Sequence, residues 1–530
     1  MNDNGMIYFA KKGPEEQPNE KIYLNPAMAN RHGFIGGATG TGKSVTLKVL
    51  AESFSQLGVP TFFSDVKGDM AGIAVPGQDS EGMQKRLDRF DIREQFQYRG
   101  FPVTIYDIYG EKGIPLRTTV SEMGPQLMSQ ILDLNDTQTD LLTVAYKIAD
   151  DQQLLLIDTK DLKAMLTYLT EHAAEFETDY GHMSKTSLAT IIRAIVALEA
   201  EGADKFFGEP AINITDFFTL GPDGRGMVNI LDSEALISKP KLYSAFMLYL
   251  LSELFEILPE VGDIEKPKMV FFFDEAHCLF NNASRPLLEK IEQVVKLIRS
   301  KGIGLFFITQ SPGDIPASVM AQLGNKIEHG LHAYTPAEQK VVKAAADSFR
   351  ENPEFDTEEV LKNLGTGEAV VSTLDEKGAP SVAEYAYILP PESSMGAITD
   401  ETRDHLVKES ILYTKYSAAV DADSAFEILT RIKAQVEEAK AQEAEQAAQQ
   451  AQEEKEAKAA QKEAEKAEKK KEKEVNKIKT NVAKTTGGSV GREVGKVVGE
   501  AVFGKKGKTI FGNIGSTIGR NIMGTLMKGK

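Results

Sequence analysis

The chain has 530 residues, 42% hydrophobic and 26% charged, enough to bury a large α/β core with appendages and too ordinary a balance for a collagen-like, mucin-like or wholly disordered protein. One cysteine, Cys278, excludes a disulfide framework within the chain and suits a reducing compartment; no basic-then-apolar leader opens the sequence, so the expected location is cytoplasmic. The net charge of -17 is uneven: residues 481–530 carry +7 and residues 436–480 carry -1, which leaves -23 on residues 1–435 and argues against whole-face nucleic-acid binding, although a basic pore inside an oligomer would not show in that sum.

Residues 1–399 alternate short β-rich runs with helical stretches, the pattern of an α/β domain built on a mainly parallel sheet. Strands are predicted at 33–36, 60–65, 102–106, 227–231, 269–274, 304–309 and 369–373. The run Met269 to Phe273 lacks period-two alternation, so it should be central and buried on both faces. Residues 120–205 read as a helical insertion. Leu242 to Leu258 carries Glu253 and Glu256 and falls short of the ~20 apolar residues a bilayer requires, so it is expected to be a buried helix.

A helical extension follows at 400–435, then a charged Ala/Glu/Lys helix at 436–480 that reads as a solvated spacer, with a weak coiled coil as the alternative. The basic Gly-rich tail, 481–530, has glycines at 487, 491, 495 and 499, which clear one helix face for close approach while costing about 1 kcal/mol each in isolation. It suits an anionic membrane surface, nucleic acid or self-association, and disorder stays open; through this tail the protein would be peripheral to a membrane.

The strongest motif is Gly37-Ala38-Thr39-Gly40-Thr41-Gly42-Lys43-Ser44, a complete phosphate-binding loop between an apolar strand and a helix. Its backbone N–H groups and the helix N-terminus suit a nucleotide's phosphates, Lys43 bridges them, and Ser44 is a ligand for Mg²⁺. A second element, the strand ending in Asp274-Glu275, supplies two acids: Asp274 for Mg²⁺ and Glu275, expected on the opposite side, as the base for water. Gln310, at the tip of the strand Gly304 to Thr309, is placed to sense phosphate or water. Arg299, at a helix end before that strand, is an arginine finger for a neighbouring subunit or a cation satisfying the helix dipole. Asp65-Val66-Lys67-Gly68-Asp69 offers a carboxylate near the phosphates or an ordinary turn, and His32, His277 and Cys278 lack metal-ligand spacing.

Together Gly36 to Ser44, Asp65 to Asp69, Phe271 to His277, Arg299 and Ile308 to Pro312 resemble the HerA/FtsK superfamily of RecA-like P-loop ATPases, specifically its HerA-like helicase C-terminal branch, over about residues 20–390. The resemblance implies ATP and Mg²⁺ as cofactors, a homo-hexamer with ATP at subunit boundaries, Glu275 as catalytic base, Gln310 as sensor, Arg299 acting in trans, and DNA translocation. Only 36 residues precede Gly37, so the N-terminal barrel by which relatives recruit a nuclease is not expected, nor a nuclease partner. Asn325-Lys326-Ile327-Glu328 approaches a GTPase signature but ends in Glu, and Asp274 to His277 spells a DEAH box without that class's arginine-rich partner element. A rival of another kind is a nucleotide-switched scaffold or protein-remodelling ATPase delivered to a membrane or partner by its tail.

Overall fold

Apolar runs that lack alternation bury both faces of a strand, and the longest of them set the middle of this fold. The computed structural model describes residues 2–13, 20–262, 264–280 and 285–479. Among them, thirteen strands form one sheet: β1 (Asn2–Asp3), β2 (Met6–Lys12), β3 (Lys21–Leu24), β4 (Gly33–Gly36), β5 (Thr61–Asp65), β6 (Val103–Asp107), β7 (Ile114–Pro115), β8 (Val228–Asp232), β9 (Met269–Phe273), β10 (Ile303–Thr309), β11 (Asn325–His329), β12 (Glu368–Ser372) and β13 (Glu384–Ile388). Their order is β1-β2-β13-β12-β11-β4-β10-β9-β5-β8-β6-β7, with β3 on β2. From β11 to β7 every pairing is parallel; β12, β13, β2, β1 and β3 pair antiparallel.

All seven expected strands are present, and β9 lies between β10 and β5 with all five residues buried. Aromatic rings tie these strands together: Phe63 stacks on Phe272 with centroids 4.6 Å apart, and Phe273 on Phe307 at 5.2 Å. The helix Pro240–Ile257 is buried along most of its length, as its composition implies, and no helix among the described residues is long and apolar enough to cross a membrane.

Five helices between Val120 and Glu199 follow β7, three of them opened by capping boxes at Thr119, Asn135 and Asp158. Their apolar faces carry Leu142, Ile148, Leu162, Leu166, Leu188 and Ile191, all buried, as an amphipathic pattern requires.

The chain divides into two compact units, residues 1–435 and 436–530. The described part of the second continues the helix Ala425–Lys479, and every residue from Lys440 to Ala467 is exposed. The Gly-rich tail at 481–530 lies outside the described residues.

Candidate active site

Sheet register assembles the site. Parallel pairing sets Thr309 beside Gly36, Phe307 beside Phe273, and Ser64 beside Phe273. The C-terminal tips of β4, β10, β9 and β5 therefore bring together the loop after Gly36, Gln310, the acid pair and the turn after Asp65.

The phosphate-binding loop runs from Gly37 into the helix Lys43–Gln56. Glycine is required at two points: Gly37 has φ +144 and a Cβ there would strike His329, while Gly42 has φ +125 and a Cβ there would lie 3.2 Å from the Gly367 backbone. The loop is braced from outside. Ala38 N–H donates to Gly330 O at 2.9 Å, Gly367 N–H to Thr41 O at 2.9 Å, and the Thr41 hydroxyl to Ala38 O at 2.7 Å. His329 Nδ1 faces the Glu368 carbonyl at 2.8 Å, so it carries the proton, and its Nε2 accepts from the Thr46 hydroxyl at 2.8 Å. Burial pushes this imidazole down to about 4, which keeps it neutral in that role.

Lys43 is buried and donates to Gly37 O at 2.5 Å and Ala38 O at 3.0 Å. Burial, then repulsion from Lys67, lowers its pKa. Its ammonium is thus aimed into the curl of the loop, where a phosphate's charge would satisfy it. Replacing Lys43 with Ala removes these charge-assisted contacts, and nucleotide affinity should fall by about a hundredfold in a fluorescent-ATP titration. Affinity within threefold of wild type would contradict the assignment.

The acid pair differs from expectation in one respect. Strand alternation predicts that Glu275 faces away from Asp274. However, β9 ends at Phe273 and Glu275 adopts φ +48, a left-handed conformation uncommon for a non-glycine residue. Both carboxylates consequently converge on Lys67, whose Nζ lies 2.9 Å from Glu275 Oε1 and 3.5 Å from Asp274 Oδ2. Both acids are buried, Asp274 at 4% and Glu275 at 5% exposure. Burial raises the Asp274 carboxyl, with Lys67 opposing. Burial also acts to raise Glu275, but hydrogen bonds from Lys67 and Gln310 and the Lys67 charge outweigh it, and the carboxyl lies below its usual value.

Gln310 links the acids to the loop. Its amide nitrogen donates to both Glu275 oxygens, at 3.3 and 3.4 Å, and its amide oxygen accepts from the Thr39 hydroxyl at 3.3 Å. His277 also faces Glu275, with Nδ1 3.3 Å from Oε2, although its spacing points only to a surface or packing role. The signal that could have found Lys67 is the Asp-Val-Lys-Gly-Asp segment directly after a strand that neighbours β9. Within it, Asp65 does not reach outward: its carboxylate folds back to accept the Lys67, Gly68 and Met70 N–H groups at 3.1, 2.8 and 3.0 Å. The loop therefore places the Lys67 ammonium against the acids and keeps the Asp65 carboxylate within its own turn.

Arg299 is not part of this cluster. It lies in the 3-10 turn Ile298–Lys301 before β10, at the opposite end of a seven-residue strand, about 20 Å from the strand's tip. It is exposed and lines a cleft of about 370 Å³ with Arg31, Lys296, Lys326 and Arg350, among whose lining residues none is acidic. His32, buried beneath, spans from Val295 O at 3.0 Å to the Leu305 N–H at 3.1 Å and is a packing residue, as expected. No group of three or more potential metal-binding side chains occurs among the described residues.

Several known proteins are similar to this chain. The chain is 27% identical over 172 residues to a probable helicase of Methanocaldococcus jannaschii, covering 31% of each chain. To the DNA double-strand break repair helicase HerA of Sulfolobus acidocaldarius it is 22% identical over 356 residues, 66% of this chain and 63% of the relative. It thus spans less than two thirds of these relatives' lengths. A bacterial conjugative coupling protein, TrwB, superposes with a TM-score of 0.47 at 15% identity over 72% of this chain and 88% of that one. The profile of the "Helicase HerA-like C-terminal" family matches residues 10–517. With a parallel sheet carrying a phosphate-binding loop, an acid pair on the neighbouring-but-one strand and a polar tip between them, the chain belongs to the helicase HerA-like C-terminal family and has its RecA-like P-loop ATPase fold.

Proposed function

We propose that this protein hydrolyses ATP with Mg²⁺ as a subunit of a homo-oligomeric ring, a hexamer by resemblance, and couples hydrolysis to movement along DNA. The observation that carries the reading is the Thr39–Gln310–Glu275 chain of contacts, which joins the phosphate-binding loop to a buried carboxylate through one sensing amide. The triphosphate lies on the loop with Lys43 against its phosphates, and Glu275 accepts the proton of the attacking water while Gln310 orients it.

The residues present fit a divalent cation: Asp274 and Glu275 are two buried carboxylates that share the Lys67 ammonium, and carboxylate and hydroxyl oxygens are the donors Mg²⁺ takes. Ser44 and Asp274 would hold Mg²⁺, which when bound neutralises charge on the phosphate oxygens. Ring assembly is supported by the position of Arg299. From the N-terminal end of β10, opposite the tip that carries Gln310, it is too distant to serve the nucleotide of its own chain, and the cationic cleft around it suits the phosphates of a neighbour's.

DNA is the proposed polymer by family, and the HerA relatives are DNA repair helicases in name. At low salt, where phosphate contacts are strongest, single- or double-stranded DNA should raise the ATPase rate severalfold. A rate indifferent to both would remove DNA from the proposal. It would favour the nucleotide-switched scaffold or protein-remodelling reading, which the acidic balance of residues 1–435 supports. Attachment of the tail to an anionic membrane surface is proposed on composition alone, +7 over residues 481–530.

A further inference from the structure

Three donors already engage the Glu275 carboxylate or its neighbour, and the His277 ring lies close by. On Oε1 sit Lys67 Nζ at 2.9 Å and the Gln310 amide at 3.3 Å; on Oε2, His277 at 3.3 Å and the same amide at 3.4 Å; and the Glu275 N–H itself donates to Asp274 Oδ1 at 3.0 Å. The shortest of the contacts to Glu275 is also a full ion pair. A carboxylate holding an ammonium at that distance is a weaker base, because the cation stabilises its charged form, so releasing the ammonium makes it a better acceptor for a water proton.

Three features make Lys67 the displaceable partner. Its side chain is 38% exposed, against 6% for the side chains of both acids it contacts, so it has an aqueous route away from them. Its loop is held by three backbone N–H groups on the single Asp65 carboxylate, and among the described residues the Lys67 ammonium is bonded to the two acids. Finally, the Glu275 carboxylate that Lys67 holds is joined through the Gln310 amide to the Thr39 hydroxyl, so the ammonium stands beside a chain of contacts that ends on the phosphate-binding loop. Asp274 and Glu275 divide their charge over two separate carboxylates, whereas a terminal phosphate gathers charge and three acceptor oxygens on one group.

Resting on the proposed function, we propose that Lys67 is a positioning residue that exchanges partners: it holds Glu275 until a nucleoside triphosphate binds, then moves to the terminal phosphate and frees Glu275 for water. The loop Asp65 to Met70 thereby reports the presence of a third phosphate to the base. A diphosphate, one phosphoryl group shorter, leaves Lys67 on the acid pair. The device would suppress idle proton transfer in the absence of substrate and discriminate ATP from ADP.

The test compares binding of a fluorescent non-hydrolysable ATP analogue and of fluorescent ADP, both with Mg²⁺, to the full-length wild type, Lys67→Met and Lys67→Arg, with thermal melts as the folding control. Lys67→Met should weaken the triphosphate analogue about tenfold, the scale of a single charge-assisted hydrogen bond, and leave ADP within twofold. Lys67→Arg should restore most of the difference. The exchange is overturned if Lys67→Met weakens both nucleotides equally, weakens neither, or weakens ADP alone. It is also overturned if Lys67→Arg behaves as Lys67→Met does. A variant that fails to melt like wild type is replaced by Lys67→Gln, which keeps the stem and a polar head. Wild-type protein that binds neither nucleotide would instead sink the proposed function itself, an outcome distinct from normal wild-type binding with an unaltered variant.

Discussion

Glu275→Gln is expected to retain nucleotide and to lose ATP turnover by about 10²-fold or more. The substitution keeps the shape of the side chain and an oxygen for the Gln310 amide at 3.3 Å, so the link from the acids to Thr39 survives. What it removes is the group that can take a proton. It also dissolves the ion pair with Lys67, 2.9 Å away, and leaves that ammonium with Asp274 alone. Triphosphate affinity should therefore be unchanged or tighter, because Lys67 gives up less to meet a phosphate. Fluorescent-analogue titration beside steady-state phosphate release separates the two effects. Turnover within a few-fold of wild type would show that another group handles the proton, and a parallel loss of binding would show that Glu275 supports the loop instead of the chemistry.

Much of this site is readable in the sequence because its parts are local words: eight consecutive residues for the loop, two acids after Phe271-Phe272-Phe273, and one amide after Ile308-Thr309. Each sits at the C-terminal tip of an apolar strand, and parallel pairing then forces them together. What the sequence hides follows from two physical causes. The first is backbone conformation: the left-handed φ of Glu275 turns its carboxylate to the same side as that of Asp274, which no alternation rule anticipates. The second is polarity inside the sheet. β11 reads Asn-Lys-Ile-Glu-His and looks like a surface segment, yet Asn325, Glu328 and His329 are all buried.

Those buried groups have structural work that accounts for their types. Asn325 donates to the Met28 and His32 carbonyls at 3.1 and 3.0 Å and accepts the Leu374 N–H at 3.2 Å, tying β11 to the chain entering β4. Glu328 lies behind Gly36 so closely that a Cβ there would collide with its carboxylate, and burial pushes that carboxyl up to about 8. It therefore sits neutral behind the phosphate-binding loop at neutral pH, where a charge would cost a large desolvation penalty. The strands before Gly33 are also hard to read. β2 pairs with β13 and β3 with β2, and their short, mixed runs acquire meaning only from the long-range pairing of Lys12 with Ala386.

Arg299→Ala should cut ATP turnover by about 10³-fold while leaving nucleotide binding within a few-fold, since a finger supplied in trans acts on the charge of the transition state. The structural basis is the separation along β10: Gln310 sits at one end with the acids, and Arg299 at the other in a cleft with Arg31, Lys296, Lys326 and Arg350. A closed ring of identical subunits joined head to tail presents the loop edge of one to the cleft of the next. Mixing then gives a result that no single-subunit mechanism can produce. Arg299→Ala subunits keep an intact loop and base, Glu275→Gln subunits keep an intact Arg299, and each is inactive alone. In a random equal mixture about one junction in four pairs a working base with a working arginine, so about a quarter of wild-type activity should return. If mixed assemblies stay at the level of the two variants alone, or if the protein sediments as a monomer with ATP, Arg299 acts within its own chain as a helix-end cation and the ring proposal fails.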